Sequence, residues 1–198
     1  MKKAGVEKAR KRLALARHHF DEAFRTQKYE KFEDSWYQML VCGNAVDGIL
    51  ESTSFRDSKS QPWYGGKVSA RKRDPLLEYM HQARNADEHG VANVTRLAPA
   101  RFVLGAVDGP VNLHNIKWGG GQMTATVGAE STGRLAIDVT PPSPHLITVK
   151  NEKYGDSFEP PNSHLGERLK DTSPRAVASL WLDYLERLIE ESAARVTS

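Results

Sequence analysis

Near the middle of the chain, Ala83-Arg84-Asn85-Ala86-Asp87-Glu88-His89-Gly90 places a guanidinium, an amide, two carboxylates and an imidazole within about two helical turns. An imidazole of ordinary pKa, about 6.5, accepts and returns protons near neutral pH. A guanidinium stays charged and grips phosphate oxygens in pairs. Together they supply what proton transfer and stabilisation of developing negative charge require. On that chemistry His89 reads as general base or acid, Arg84 as the stabiliser of charge, and Asn85 as the group that orients phosphate or imidazole. At about 100° per residue Asn85 and His89 share a helix face, whereas Arg84 stands about 140° from His89 and reaches across on its long side chain. The competing reading is structural: Arg84 pairs with Asp87 or Glu88 on a solvated face, and His89 meets the negative end of the helix dipole.

A second group precedes this one. Lys67, Arg71, Lys72 and Arg73 form a basic run beside Trp63 and Tyr64, an arrangement suited to phosphate contacts and base stacking on RNA. The same residues also read as a solvated loop whose aromatic pair anchors it to a core. Gly65-Gly66-Lys67 is not a phosphate loop, because the upstream glycine spacing is missing and Val68 stands where Ser or Thr is needed. His18 and Glu22 share a helix face but lack a clear third ligand, so no metal is expected, and no motif calls for a cofactor. His164, in Glu159-Pro160-Pro161-Asn162-Ser163-His164, either approaches the Arg84 motif or a partner, or belongs to a stiff return of the chain to the last helix. Cys42 lies among apolar neighbours and reads as packing.

These groups need elements to hold them. Val6, Ala9, Leu13, Ala16, Phe20, Ala23 and Phe24 recur at steps of three and four, which predicts a helix from about residue 4 to 26. Tyr29, Phe32, Trp36, Met39, Gly43, Val46 and Leu50 continue the spacing in a second helix to about residue 51, antiparallel to the first because the connection is short. Residues 52–73, broken by Pro62, Gly65 and Gly66, read as a long loop. Asp74-Pro75 is a cap followed by a proline at the first helical position, so a third helix runs from Pro75 to about His89, stopped by Gly90. Leu76, Leu77, Met80 and Ala83 face inward on it. From about 91 to 169, short alternating stretches such as 101–107, 123–127, 135–139 and 146–149 predict an antiparallel β-meander. Ser173-Pro174 repeats the cap signal, and Val177, Leu180, Trp181, Tyr184, Leu185 and Leu188 form the stripe of a last helix. The expected class is α+β: an antiparallel four-helix bundle from residues 4–90 and 173–195, with a β-rich insertion at 91–170 between its third and fourth helices, all in one domain.

Composition bounds the rest. With 198 residues, 39% hydrophobic and 27% charged, the chain fits a compact domain and excludes a disordered or fibrous one. A net charge of 28 − 25 = +3 is too mild to argue for a polyanionic partner, so local clusters must do so. One cysteine allows no intrachain disulfide, which suits a reducing cytoplasm. Lys2, Lys3, Lys8, Arg10, Lys11 and Arg12 make the first turns basic, either attracting RNA or keeping a helix face soluble. The apolar stretch after them ends at Arg17, too short for a signal peptide, and no run is long enough for a membrane helix.

In element order, and in Arg84-Asn85 followed by His89, the chain resembles the HEPN superfamily of small helical-bundle proteins, whose ribonuclease members carry Arg, a polar residue, and His four to six residues beyond the Arg. The resemblance covers the four expected helices and not the β-rich insertion. It implies metal-independent RNA cleavage at a composite site formed by a homodimer, with Arg84 and His89 catalytic and Asn85 supporting them. It further implies a toxin or phage-defence role under an antitoxin or other regulatory protein. The alternative within the same resemblance is a non-catalytic interaction or RNA-binding module.

Overall fold

The computed structural model describes residues 1–55, 57–89, 94–119, 122–151 and 155–196. The class is α+β. In chain order the elements are α1 (Lys3–Arg25), α2 (Tyr29–Ser54), α3 (Ser60–Arg71), α4 (Pro75–His89), β1 (Thr95–Ala98), β2 (Arg101–Val107), β3 (Leu113–Gly119), β4 (Gln122–Val127), β5 (Arg134–Thr140), β6 (Ser143–Leu146), β7 (Val149–Asn151), β8 (Asp156–Phe158), β9 (Ser163–His164), β10 (Glu167–Arg168) and α5 (Pro174–Ala193). They form two compact units, residues 1–96 with 144–198, and residues 97–143.

The first unit is built on the apolar stripes. Val6, Ala9, Leu13 and Ala16 of α1 bury against Phe32, Trp36, Met39, Leu40, Val46 and Leu50 of α2, with Leu76, Leu77 and Met80 of α4 and Val177, Trp181, Leu182, Leu185 and Leu188 of α5 closing the same core. A close approach falls at Gly43 of α2, where a Cβ atom would lie 2.2 Å from the Trp181 ring of α5; hydrogen in place of a side chain lets the indole sit against the α2 backbone. On the outer faces, Arg10 meets Glu190 at 3.1 Å, and Arg17 meets Asp183 at 2.9 Å and Glu186 at 2.8 Å, so part of the basic surface of α1 is matched to acids on α5.

Both expected caps are present. Leu77 N–H donates to Asp74 Oδ1 at 2.9 Å at the start of α4, and Ala176 N–H donates to Ser173 Oγ at 3.3 Å at the start of α5. Gly90, the expected stop of α4, lies outside the described residues.

Three expectations need correction. Residues 60–71 are a helix, not a loop. Pro62 is tolerated because it falls in the first turn, where an N–H has no intrahelical acceptor, and Gly65 and Gly66 face open space. The buried Tyr64 ring holds the segment down and offsets their poor propensity. The β-rich segment is also not a meander. β1 pairs with β6, and within that bracket β2 with β5 and β3 with β4 are antiparallel ribbons, while β7–β8 and β9–β10 are separate local pairs. Residues 144–170 belong with the helices rather than with the insertion, because Leu146, Val149 and His164 are buried there. Among the described residues no helix is long and apolar enough to cross a membrane.

Candidate functional site

α4 carries the groups singled out above. Its inward face, Leu76, Leu77, Tyr79, Met80 and Ala83, is buried in the core, which fixes the rotation of the helix. Beside it stand His81 and Asn85, at i and i+4 and both half-buried, with Arg84 next to them. Arg84 is half-buried, and its Nη1 donates to Asn85 Oδ1 at 3.3 Å. The backbone of His89 is the last residue of α4, and its side chain lies outside the described residues, as do those of Asp87 and Glu88.

His81, which sequence reasoning passed over, is part of this arrangement. Its Nδ1 lies 3.1 Å from Asn44 Oδ1 on α2, and the Asn44 amide nitrogen donates to Leu40 O at 3.0 Å. That second bond orients the amide with its oxygen toward the imidazole, so Nδ1 carries the hydrogen and Nε2 the lone pair. Burial holds the His81 imidazole below its usual value; nearby Arg71, Arg84 and Lys72 act in the same direction, against Glu78. A neutral ring with a basic Nε2 therefore stands one turn before Arg84. The i, i+4, i+8 spacing with Asn85 and His89 was the available sequence signal.

The basic run on α3 divides. Lys67 is 2.6 Å from Glu191 of α5 and lies over the Trp63 ring at 5.6 Å, while Arg195 covers that ring at 4.2 Å. Trp63 is thus half-buried and already stacked by cations. Tyr64 is only 2% exposed and donates to Asp47 O at 2.8 Å, so its ring has no face to offer a base. Arg71 pairs with Asp47 at 3.5 Å in a nearly buried couple; burial pushes the Asp47 carboxyl up and Arg71 opposes it. Lys72 and Arg73 alone keep exposed side chains, at the turn leading into α4. Of the six residues read as an RNA surface, Tyr64 and Arg71 are structural because the helix turns them into the α2 contact.

His164 does reach the motif helix, at its other end. Its Nδ1 is 3.0 Å from Asp74 Oδ1, both side chains are buried, and its ring stands edge-on to Tyr184 at 6.0 Å between centroids. Burial raises the Asp74 carboxyl, but the Leu165 and Leu77 N–H groups and His164 outweigh it and hold it below the usual carboxylate range. Elsewhere His18 packs edge-on with His19, Glu22 pairs with Arg25 at 3.3 Å, and Cys42 is buried. Among the described residues no group of three His, Cys, Asp or Glu side chains is placed to hold a metal ion.

No family model matches the chain, nor does any curated protein or solved structure. A guanidinium tied to an amide beside an imidazole with a basic nitrogen can hold an anionic group and move a proton next to it.

Proposed function

We propose that the chain is a metal-independent endoribonuclease of HEPN type, working in the cytoplasm as a homodimer whose two α4 motifs form one composite site. The observation that carries the reading is the Arg84–Asn85 hydrogen bond of 3.3 Å on the helix that ends at His89. It makes the cation and the amide one polar unit, placed by a buried helix face rather than by a loop.

In the proposed reaction the ribose 2′-oxygen attacks the adjacent phosphorus while its proton passes to His89. Arg84 neutralises the charge gathering on the non-bridging oxygens, and Asn85 orients the phosphate. The P–O5′ bond breaks as the leaving oxygen takes up a proton from the protonated imidazole, so none is gained or lost overall, giving 2′,3′-cyclic phosphate and 5′-hydroxyl ends. No metal or cofactor enters the scheme, and DNA, lacking the 2′-hydroxyl, resists. Lys72 and Arg73, exposed at the turn before α4, would meet the RNA backbone. A toxin or phage-defence role, held in check by an antitoxin or regulatory protein, belongs to the same reading.

A second reading draws on the inward pairing of Lys67 and Arg71 and the burial of Tyr64, which leave a smaller basic surface than the sequence promised. On it the helices are a non-catalytic interaction or RNA-binding module, and Arg84 with His89 is structural.

Incubation with mixed RNAs in excess chelator separates the two. Catalysis by this site predicts cyclic-phosphate ends and a loss of about 100-fold or more in Arg84→Ala and His89→Ala. Cleavage by His89→Ala at the parent's rate refutes the catalytic assignment, and salt-sensitive binding without cleavage, unchanged in His89→Ala, selects the module.

A further inference from the structure

The unit of residues 97–143 contains an antiparallel ribbon whose edges are open. β2 and β5 pair in register from Arg101↔Thr140 to Val107↔Arg134, and among the described residues the sheet has only these two strands. Every residue of β2 is exposed, as is every residue of β5 except the half-buried Leu135. One face is wholly apolar, with Phe102, Leu104 and Ala106 opposite Val139, Ile137 and Leu135, and Ile137 and Val139 are 52% and 51% exposed. A two-stranded ribbon is marginal in water, and a free strand edge is a template for another strand.

The sequence of β5 selects which strand. In Arg134-Leu135-Ala136-Ile137-Asp138, opposite charges stand symmetrically two residues either side of Ala136. An antiparallel copy of the same strand centred on Ala136 puts Arg134 against the partner's Asp138 and Asp138 against the partner's Arg134. It also sets Leu135 against the partner's Ile137 on the apolar face. Both charge pairs lie on the mixed face, with Val103 and Val107 of β2 alongside. β2 carries no acid, so it offers no such self-match. Arg134 already touches Asp108 at the ribbon's end, and a guanidinium with five donors can serve both carboxylates. Asp138 has no ion-pair partner among the described residues.

We propose that β5 pairs with β5 of a second copy of this chain, antiparallel about a two-fold axis at Ala136, joining two open ribbons into one four-stranded sheet. The occupant is this chain itself, selected by the charge symmetry and by the isologous geometry that symmetry requires.

The test uses the full chain with Ala136→Cys, oxidised and read as covalent dimer on a non-reducing gel. Directly opposed residues of antiparallel strands have Cα atoms about 4.5–5.5 Å apart, within reach of a disulfide. Cys42 is buried and stays in place. Ala136→Cys should cross-link rapidly, and Thr140→Cys, exposed on the same strand face but four residues from the axis, should not. Adding Arg134→Asp to Ala136→Cys should slow cross-linking about tenfold, and the swap Arg134→Asp with Asp138→Arg should restore it. No cross-link in Ala136→Cys, equal rates for Thr140→Cys, or indifference to Arg134→Asp overturns the proposal. Cross-linking is read without RNA, so it stands or falls apart from the ribonuclease reading.

Discussion

Asp74→Ala should destabilise the helical unit by about 3–5 kcal/mol. The carboxylate accepts from Leu77 N–H at 2.9 Å and His164 Nδ1 at 3.0 Å on one oxygen, and from Leu165 N–H at 2.6 Å on the other. Loss of the helix cap costs about 1 kcal/mol. The Leu165 amide and the His164 ring nitrogen are then left without their acceptor, at about 1–3 kcal/mol each. Water can reach some of this site after truncation, so the total falls short of the upper sum, but it remains a large part of the roughly 5–15 kcal/mol that holds a domain folded. Asp74→Asn keeps the shape and one acceptor oxygen while placing an amide donor against a donor, and should cost about 1–3 kcal/mol. Urea unfolding followed by far-UV circular dichroism measures both. The sign with pH is fixed as well: the folded state lowers the carboxyl below its usual 3.8, so this stabilisation is complete above that value and is lost as pH falls through the lowered pKa. A cost below about 1 kcal/mol for Asp74→Ala would refute the reasoning, because three good hydrogen bonds to a buried carboxylate would then be contributing less than one cap.

Gly43→Ala should cost about 1–3 kcal/mol in a denaturant titration, since its new carbon would lie 2.2 Å from the Trp181 ring where normal contact is about 3.5–4.0 Å, and a ring packed between helices must shift. For His81 the folded state favours the neutral ring, so stability is complete above the usual value of 6.5 and falls as pH drops through the lowered pKa; unfolding titrations between about pH 7.5 and 5.5 should show a slope that His81→Gln removes. An unchanged slope would mean that another group titrates there.

Four of the helices were legible from their apolar stripes, and two of these, α4 and α5, carried a second, independent signal. Asp74-Pro75 and Ser173-Pro174 mark starts by local hydrogen bonding, and the stripes of α1, α2, α4 and α5 mark faces by burial, with bounds close to those observed. α3 was not legible because Pro62, Gly65 and Gly66 argue locally against a helix, while what favours it, Tyr64 reaching Asp47 and Lys67 reaching Glu191, is contact with distant helices. Strand existence was legible from alternation, but partner choice was not: β2 skips two strands to find β5, a non-local pairing that alternation does not encode. Within the site, Arg84, Asn85 and His89 stood out by density of chemistry. His81 did not, because its role depends on Asn44, a residue on another helix.

α4 is also tied down at several points by its own side chains. Asp74 bonds the His164–Leu165 segment, and Tyr79 donates to Ile147 O at 2.8 Å on the chain returning from the insertion. Burial raises the Tyr79 phenol, as expected of a hydroxyl retained as a donor inside the unit. These anchors belong to the helical unit, whereas the charges that would match two copies of β5 belong to the other. Changes at Arg134 or Asp138 should therefore alter association while leaving the Arg84–Asn85 contact in place. Changes at Asp74 should loosen the helix that carries that contact while leaving the β5 edge intact. If Arg134→Asp abolished the Ala136→Cys cross-link while the urea midpoint of the helical unit held, the two sets of interactions would be separate; a midpoint lowered by Arg134→Asp would refute that separation.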